Sequence, residues 1–243
     1  MANKHRLPNS ALENSAFLRA DAYSPRPLAH SESTRLDVYS FHSPRNDHRL
    51  VDVVEPCRLA LALDLEFDPN VASYVERPRT LLVREREIEL CFWVVKKDGT
   101  ESFIAFRRQP DATVPALRAE RRLCSDLMEA ALRAGLILAI RKTQSILNSR
   151  VANATRLELL PYVQAARRLK GVDVFTDAVM THMGSNPVSS FHAIETSLRR
   201  AFDWRDVRTA ACLLIHQGTL SINFNDRLRA TSSISLRAHQ WAE

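Results

Sequence analysis

Four cysteines and eight histidines are the side chains here that suit a soft metal site, and their spacing argues against one. Cys57, Cys91, Cys124 and Cys212 stand far apart, each in an apolar stretch, with no CxxC pair and no histidine at zinc-ligand spacing. They read as buried free thiols of a reducing cytoplasm. The histidines (His5, His30, His42, His48, His182, His192, His216 and His239) form neither HxxxH nor HExxH, so a zinc hydrolase has no support. Arginine carries the stronger signal. Arg199, Arg200, Arg205, Arg208, Arg227 and Arg229 gather in the last quarter of the chain, and a guanidinium presents a planar fork of donors that fits phosphate oxygens. A net charge of +6 and a pI near 9.4 favour an acidic partner such as nucleic acid without proving one.

Those residues need a scaffold, and 243 residues with 45% hydrophobic content can bury a real core. No apolar run is long enough for a membrane helix, and the first twenty residues lack the apolar block of a signal peptide. The chain is expected to be soluble and cytoplasmic. Residues 1–40 mix Ser, Pro, Arg, Asn and Asp and predict a flexible arm, either a plain solvated tail or a basic arm that touches DNA or a partner. A helix is predicted from Glu55-Pro56 to about Asp68-Pro69, because proline at the first helical turn removes an N–H that has no partner there anyway. VASYVERPRTLLV, interrupted at Arg77-Pro78, and the stretch Glu87 to Pro110, folded about Asp98-Gly99, predict three antiparallel strands.

After Pro115 the positions Leu117, Cys124, Leu127, Met128, Ala131 and Leu132 predict a helical core stripe that stops at Gly135. LILAI follows as a buried strand which, after a crossover helix, should pair in parallel. A helical stretch from Thr143 to Ala166 then meets a basic break at Arg167, Arg168, Lys170 and Gly171. The fold class is therefore mixed α/β. Beyond Gly171 come three short helical patterns and a strand pair around a polar tip, the order of a winged helix.

The segment from Arg49 to Pro78 with its LEFDPNV and Arg77-Pro78 steps, the hairpin, the helix ending at Gly135, LILAI, NATRLELLPY and the winged-helix-like tail together resemble TnsA. TnsA-like proteins are endonuclease subunits of heteromeric transposases. The resemblance implies a flexible arm (1–40), a restriction-endonuclease-like α/β/α domain (41–170), a small winged-helix domain (171–236) and a tail (237–243). It implies DNA, a TnsB-like DDE transposase and an AAA-type ATPase regulator as partners.

In that family a helix glutamate, a strand aspartate and a Glu/Gln-x-Lys pair hold magnesium, which takes hard oxygen ligands. Laid on this sequence, those positions fall on Arg58, Cys91, Ala105 and Arg107. A guanidinium at ~4 Å would repel a divalent ion by roughly 8 kcal/mol at an effective dielectric of ~20. The resemblance thus implies a degenerate site, with no catalytic residues, no metal and no cofactor, and an accessory role in transposition. Ala105 is expected to face the old cleft as filler. Arg58 and Arg107 either grip DNA phosphates or form ion pairs, with Glu55 or Glu89 as partners. Two alternatives stand beside this: an active Mg2+-dependent endonuclease whose site has moved to Asp64, Glu66, Glu87 and Glu89, or a winged-helix transcriptional regulator.

Along the third helix of the tail Asp203 is placed as cap, with Asp206 at the third position. Trp204, Val207, Ala211 and Leu214 form one stripe, expected to be core, and Trp93 is expected in the core as well. Arg205, Arg208, Thr209, Cys212 and His216 form another, which either enters a DNA major groove or is a solvated or protein-contacting face. In the first case Arg227 and Arg229 on the wing and Arg199 and Arg200 at the end of the second helix would hold phosphates.

Overall fold

The computed structural model describes residues 23–107 and 113–237. Its architecture is mixed α/β with several sheets, and the chain divides into two compact units, 1–32 with 70–143 and 33–69 with 144–243. The elements in chain order are α1 (His30–Arg35), β1 (Val38–Ser43), β2 (Arg49–Val54), α2 (Pro56–Phe67), β3 (Val71–Glu76), β4 (Thr80–Val83), β5 (Arg86–Glu89), β6 (Phe92–Lys96) and β7 (Glu101–Arg107). Then follow α3 (Val114–Arg133), β8 (Leu138–Lys142), α4 (Thr143–Leu147), α5 (Arg150–Ala166), α6 (Val172–Ser185), β9 (Val188–Ser190), α7 (Phe191–Leu198), α8 (Trp204–Gln217), β10 (Leu220–Ile222) and β11 (Ser233–Leu236).

The first unit is built on a four-stranded sheet of order β3-β6-β7-β8. Asp98-Gly99 turns the β6–β7 hairpin, with Gly99 at φ +82°, a conformation that a Cβ would strain. β8 runs parallel to β7, with Ala105 opposite Ile140 and Arg107 opposite Lys142, as the crossover through α3 requires. Leu127, Ala130 and Ala131 of α3 pack with Trp93, Phe103, Ala105 and Leu138 in one core. β4 and β5 form a separate hairpin, tied to α3 by the ion pair of Arg84 with Asp126.

Three expectations are corrected in this unit. The core stripe of α3 is narrower than predicted, since Met128 is exposed and Leu132 is 78% exposed. A helix lying on one sheet buries one line of side chains, and Ala130 takes the inward position beside Leu127 and Ala131. LILAI is buried at Leu138, but Ile137 precedes the strand and is exposed. The arm expected over 1–40 is anchored from Tyr23 onward: its ring meets Trp93 and Phe103 with centroids 5.0 and 5.3 Å apart, and Arg26 exchanges two hydrogen bonds with Arg77. The earlier part of that arm lies outside the described residues, as does the tail after Arg237.

The second unit joins the β1–β2 hairpin, α2 and α5 to the C-terminal elements. This differs from the division expected at residues 41–170 and 171–236, because Leu63, Phe67, Leu159, Leu160 and Val163 share a core with Val179, Met183, Phe191, Ile194, Val207, Leu214 and Ile234. The C-terminal order is α6-β9-α7-α8-β10-β11, and β11 pairs antiparallel with both β10 and β9.

At the centre stands α8. Asp203 caps it by accepting from Arg205 N at 2.8 Å, as the sequence suggests. It ends at Gly218, whose φ of +84° and close neighbour Pro69 (2.3 Å from where a Cβ would sit) leave room for glycine alone.

Candidate nucleic-acid interface

The positions that the resemblance assigns to metal chemistry fall on both units: Arg58 lies on α2 of the second, and Cys91, Ala105 and Arg107 lie in the first. Cys91, in the link between β5 and β6, is 3% exposed and its backbone N–H bonds the Ile104 carbonyl at 2.7 Å. Ala105 is 2% exposed and belongs to the core under α3, which corrects its expected place as filler of a cleft. The Arg107 Nε lies 3.3 Å from Glu120 of α3, so its partner is neither Glu55 nor Glu89. Residues on neighbouring elements decide that pairing.

The four carboxylates considered for a relocated site are divided between the units, Asp64 and Glu66 in the second and Glu87 and Glu89 in the first. Glu87 and Glu89 sit on β5, opposite Leu82 and Thr80, and share no strand with Cys91. Asp64 pairs with Arg156 at 2.7 Å. Glu66, two residues on, turns inward and is 0% exposed. Among the described residues no group of three or more His, Cys, Asp or Glu side chains is placed to hold a metal ion.

Around Glu66 lies a polar cluster that sequence reasoning missed. Its carboxylate accepts from Ser43 Oγ at 2.5 Å, Arg45 N at 2.9 Å and His216 Nε2 at 2.8 Å. Arg45 also donates to the Glu66 carbonyl and to the His216 carbonyl, at 2.8 and 3.0 Å. A nucleophile relay needs the imidazole between hydroxyl and carboxylate. Here the carboxylate stands in the middle, so the cluster lacks the order of such a relay and joins β1, α2 and α8.

The second stripe of α8 is also corrected. Thr209, Cys212 and His216 are buried, because α8 packs against α5, α6, α7 and β10 on all sides. Burial pushes the Cys212 thiol up, which keeps it protonated and inert. Arg208 is held by Glu195 of α7 at 2.6 Å and lies over the Trp204 and Phe191 rings, 5.3 and 5.4 Å from their centroids. Trp204, expected in the core, is 44% exposed, since it opens the helix before the packed turns begin. Of the stripe only Arg205 is exposed, beside Asp203 at 3.8 Å.

Arg199, Arg200, Arg227 and Arg229 are all exposed. His192 N bonds the Ala230 carbonyl at 2.8 Å, so the loop carrying Arg227 and Arg229 meets the beginning of α7, whereas Arg199 and Arg200 follow its end. An eight-residue helix is about 12 Å long. Arg229 and Arg208 line one cavity of about 310 Å³ together with Glu158, Tyr162 and Phe191. The C-terminal arginines thus offer two separate exposed pairs that suit phosphate contacts, while Thr209, Cys212 and His216 of α8 are closed to solvent.

A third basic site lies elsewhere in the same unit. His42 and His48 of the β1–β2 hairpin and Gln164, Arg167 and Arg168 at the end of α5 line a cavity of about 580 Å³. The sequence signalled it only as the charged break after Ala166. No helix among the described residues is long and apolar enough to cross a membrane. No family model matches this sequence, and no curated protein matches it.

Proposed function

We propose that this chain is a catalytically silent, TnsA-like accessory subunit of a DNA transposition complex, with a restriction-endonuclease-like core and a winged helix. It would hold element ends through phosphate contacts and bind a TnsB-like transposase and its AAA ATPase regulator. The observation that carries the reading is the state of the hairpin positions. Cys91 and Ala105 are buried and offer a thiol and a methyl group, and the Arg107 guanidinium is paired to Glu120, so none of these three side chains offers a hard oxygen ligand.

The β3-β6-β7-β8 sheet with its parallel last strand suits such a core, and the α6-β9-α7-α8-β10-β11 order with β11 central suits a winged helix. Base reading by α8 is not part of the proposal, because Thr209, Cys212 and His216 are buried. DNA is held by its backbone through the exposed arginines, a mode that fixes position without specifying sequence.

The test is a supercoiled plasmid incubated with the protein and magnesium or manganese. Salt-sensitive retention of the plasmid without nicking is expected. Metal-dependent nicking that disappears in Asp64→Ala or Glu89→Ala would sink the silent reading in favour of a relocated nuclease site.

A further inference from the structure

We propose that the cavity between the β1–β2 hairpin and the end of α5 is a phosphate pocket, in which His42, His48, Gln164, Arg167 and Arg168 receive one phosphodiester of a DNA backbone. The inference rests on the DNA-holding role proposed above and names a site for it outside the C-terminal arginines.

None of the lining residues is acidic; the two left, Pro161 and Ala165, are apolar. The pocket is braced from both sides. Gln164 Nε2 donates to the His42 carbonyl at 2.7 Å, tying α5 to the hairpin, and His42 Nδ1 lies 3.0 Å from the His48 carbonyl. A carbonyl only accepts, so Nδ1 carries the hydrogen and fixes the tautomer. Arg167 and Arg168 are exposed and supply forked donors.

Basic residues at the end of α5 also complement its dipole. That role would explain the two arginines and would leave the imidazoles unexplained. His48 lies on a different segment, and its proton affinity is held down first by partial burial and then by the Arg167 charge, against the opposing charges of Asp47 and Glu66. The neighbouring Arg167 and Arg168 guanidiniums repel one another, and a bound phosphate relieves that repulsion. The cavity, about 580 Å³, has space for the phosphate and its adjoining sugars.

The test compares wild type with Arg167→Ala plus Arg168→Ala, both exposed positions where folding should persist, in anisotropy titrations of a short fluorescent duplex over a range of salt. The double variant should bind about tenfold more weakly, with a salt dependence of log K shallower by about 1. Imidazole signals of His42 and His48 should move when duplex is added to wild type and stay fixed in the variant. Wild-type binding with an unaltered variant overturns this pocket and leaves the accessory reading intact. A wild type that binds neither duplex nor single-stranded DNA overturns both. Inorganic phosphate that moves the same signals as strongly as duplex at equal phosphate concentration overturns the assignment to DNA and marks the pocket as a small-anion site.

Discussion

The Glu66 carboxylate lies 2.8 Å from His216 Nε2 in the interior of the second unit, although 150 positions separate the two residues. Glu66 is the last acid of α2, and His216 stands in the final turn of α8. A buried carboxylate is tolerable only when its oxygens are occupied, and here Ser43, Arg45 and His216 together occupy them. The pair is a joint between three elements, made from one residue that sequence reading offered as a metal ligand and another it offered to a DNA groove.

Removing Glu66 should therefore act on stability. Glu66→Ala leaves buried donors from Ser43, Arg45 and His216 without their acceptor, and a loss of roughly 3–5 kcal/mol is expected in urea unfolding. A loss below about 1 kcal/mol would mean that the cluster does not hold the elements together.

Arg208 and Glu195 make a second prediction. Their side chains are largely buried and 2.6 Å apart, so each single alanine variant should cost about 2–3 kcal/mol and the double variant much less than the sum. DNA affinity of folded Arg208→Ala should stay within about twofold of wild type, because a guanidinium bound to Glu195 is not offered to phosphate. A loss of affinity comparable to that of Arg227→Ala plus Arg229→Ala would contradict this.

Restoring a ligand at Ala105 should fail. The side chain lies in the core beside Leu127 and Ala131, where a new carboxylate has neither partner nor water. Ala105→Glu is expected to lower stability by about 3 kcal/mol or more and to confer no magnesium binding, as read by thermal unfolding with and without the metal.

His48 should leave a signature in pH dependence. Its proton affinity is lowered first by partial burial and then by Arg167; Asp47 and Glu66 act in the opposite direction, and His42 adds a smaller lowering. As pH falls through the ordinary value of 6.5 the unfolded chain takes up this proton before the folded one does. Stability contributed by the neutral ring is thus complete above that pH and lost below it, until the folded ring protonates as well. Urea midpoints on either side of the window should show the fall, and His48→Gln should flatten it. Arg167→Ala should raise the His48 value in a proton NMR titration, and an unmoved titration would remove Arg167 from the neighbourhood of the ring.

Much of the scaffold was legible locally. Pro56 set the start of α2, Asp98-Gly99 the hairpin, Gly135 the end of α3 and Asp203 the cap of α8, because each is a backbone preference of a residue and its near neighbours. Parallel pairing of β8 with β7 followed from the helix between them. Side-chain partners were not legible. Arg107 found Glu120 instead of Glu55 or Glu89, and the polar-looking line of Thr209, Cys212 and His216 was buried, because what faces a helix depends on which distant elements pack around it. The basic break at Arg167 and Arg168 was visible in the sequence, yet only the tertiary structure set His42 and His48 against it. Sequence periodicity fixes where a side chain lies on its own element; packing of segments far apart in the chain decides whether that side meets water, a core or an opposite charge.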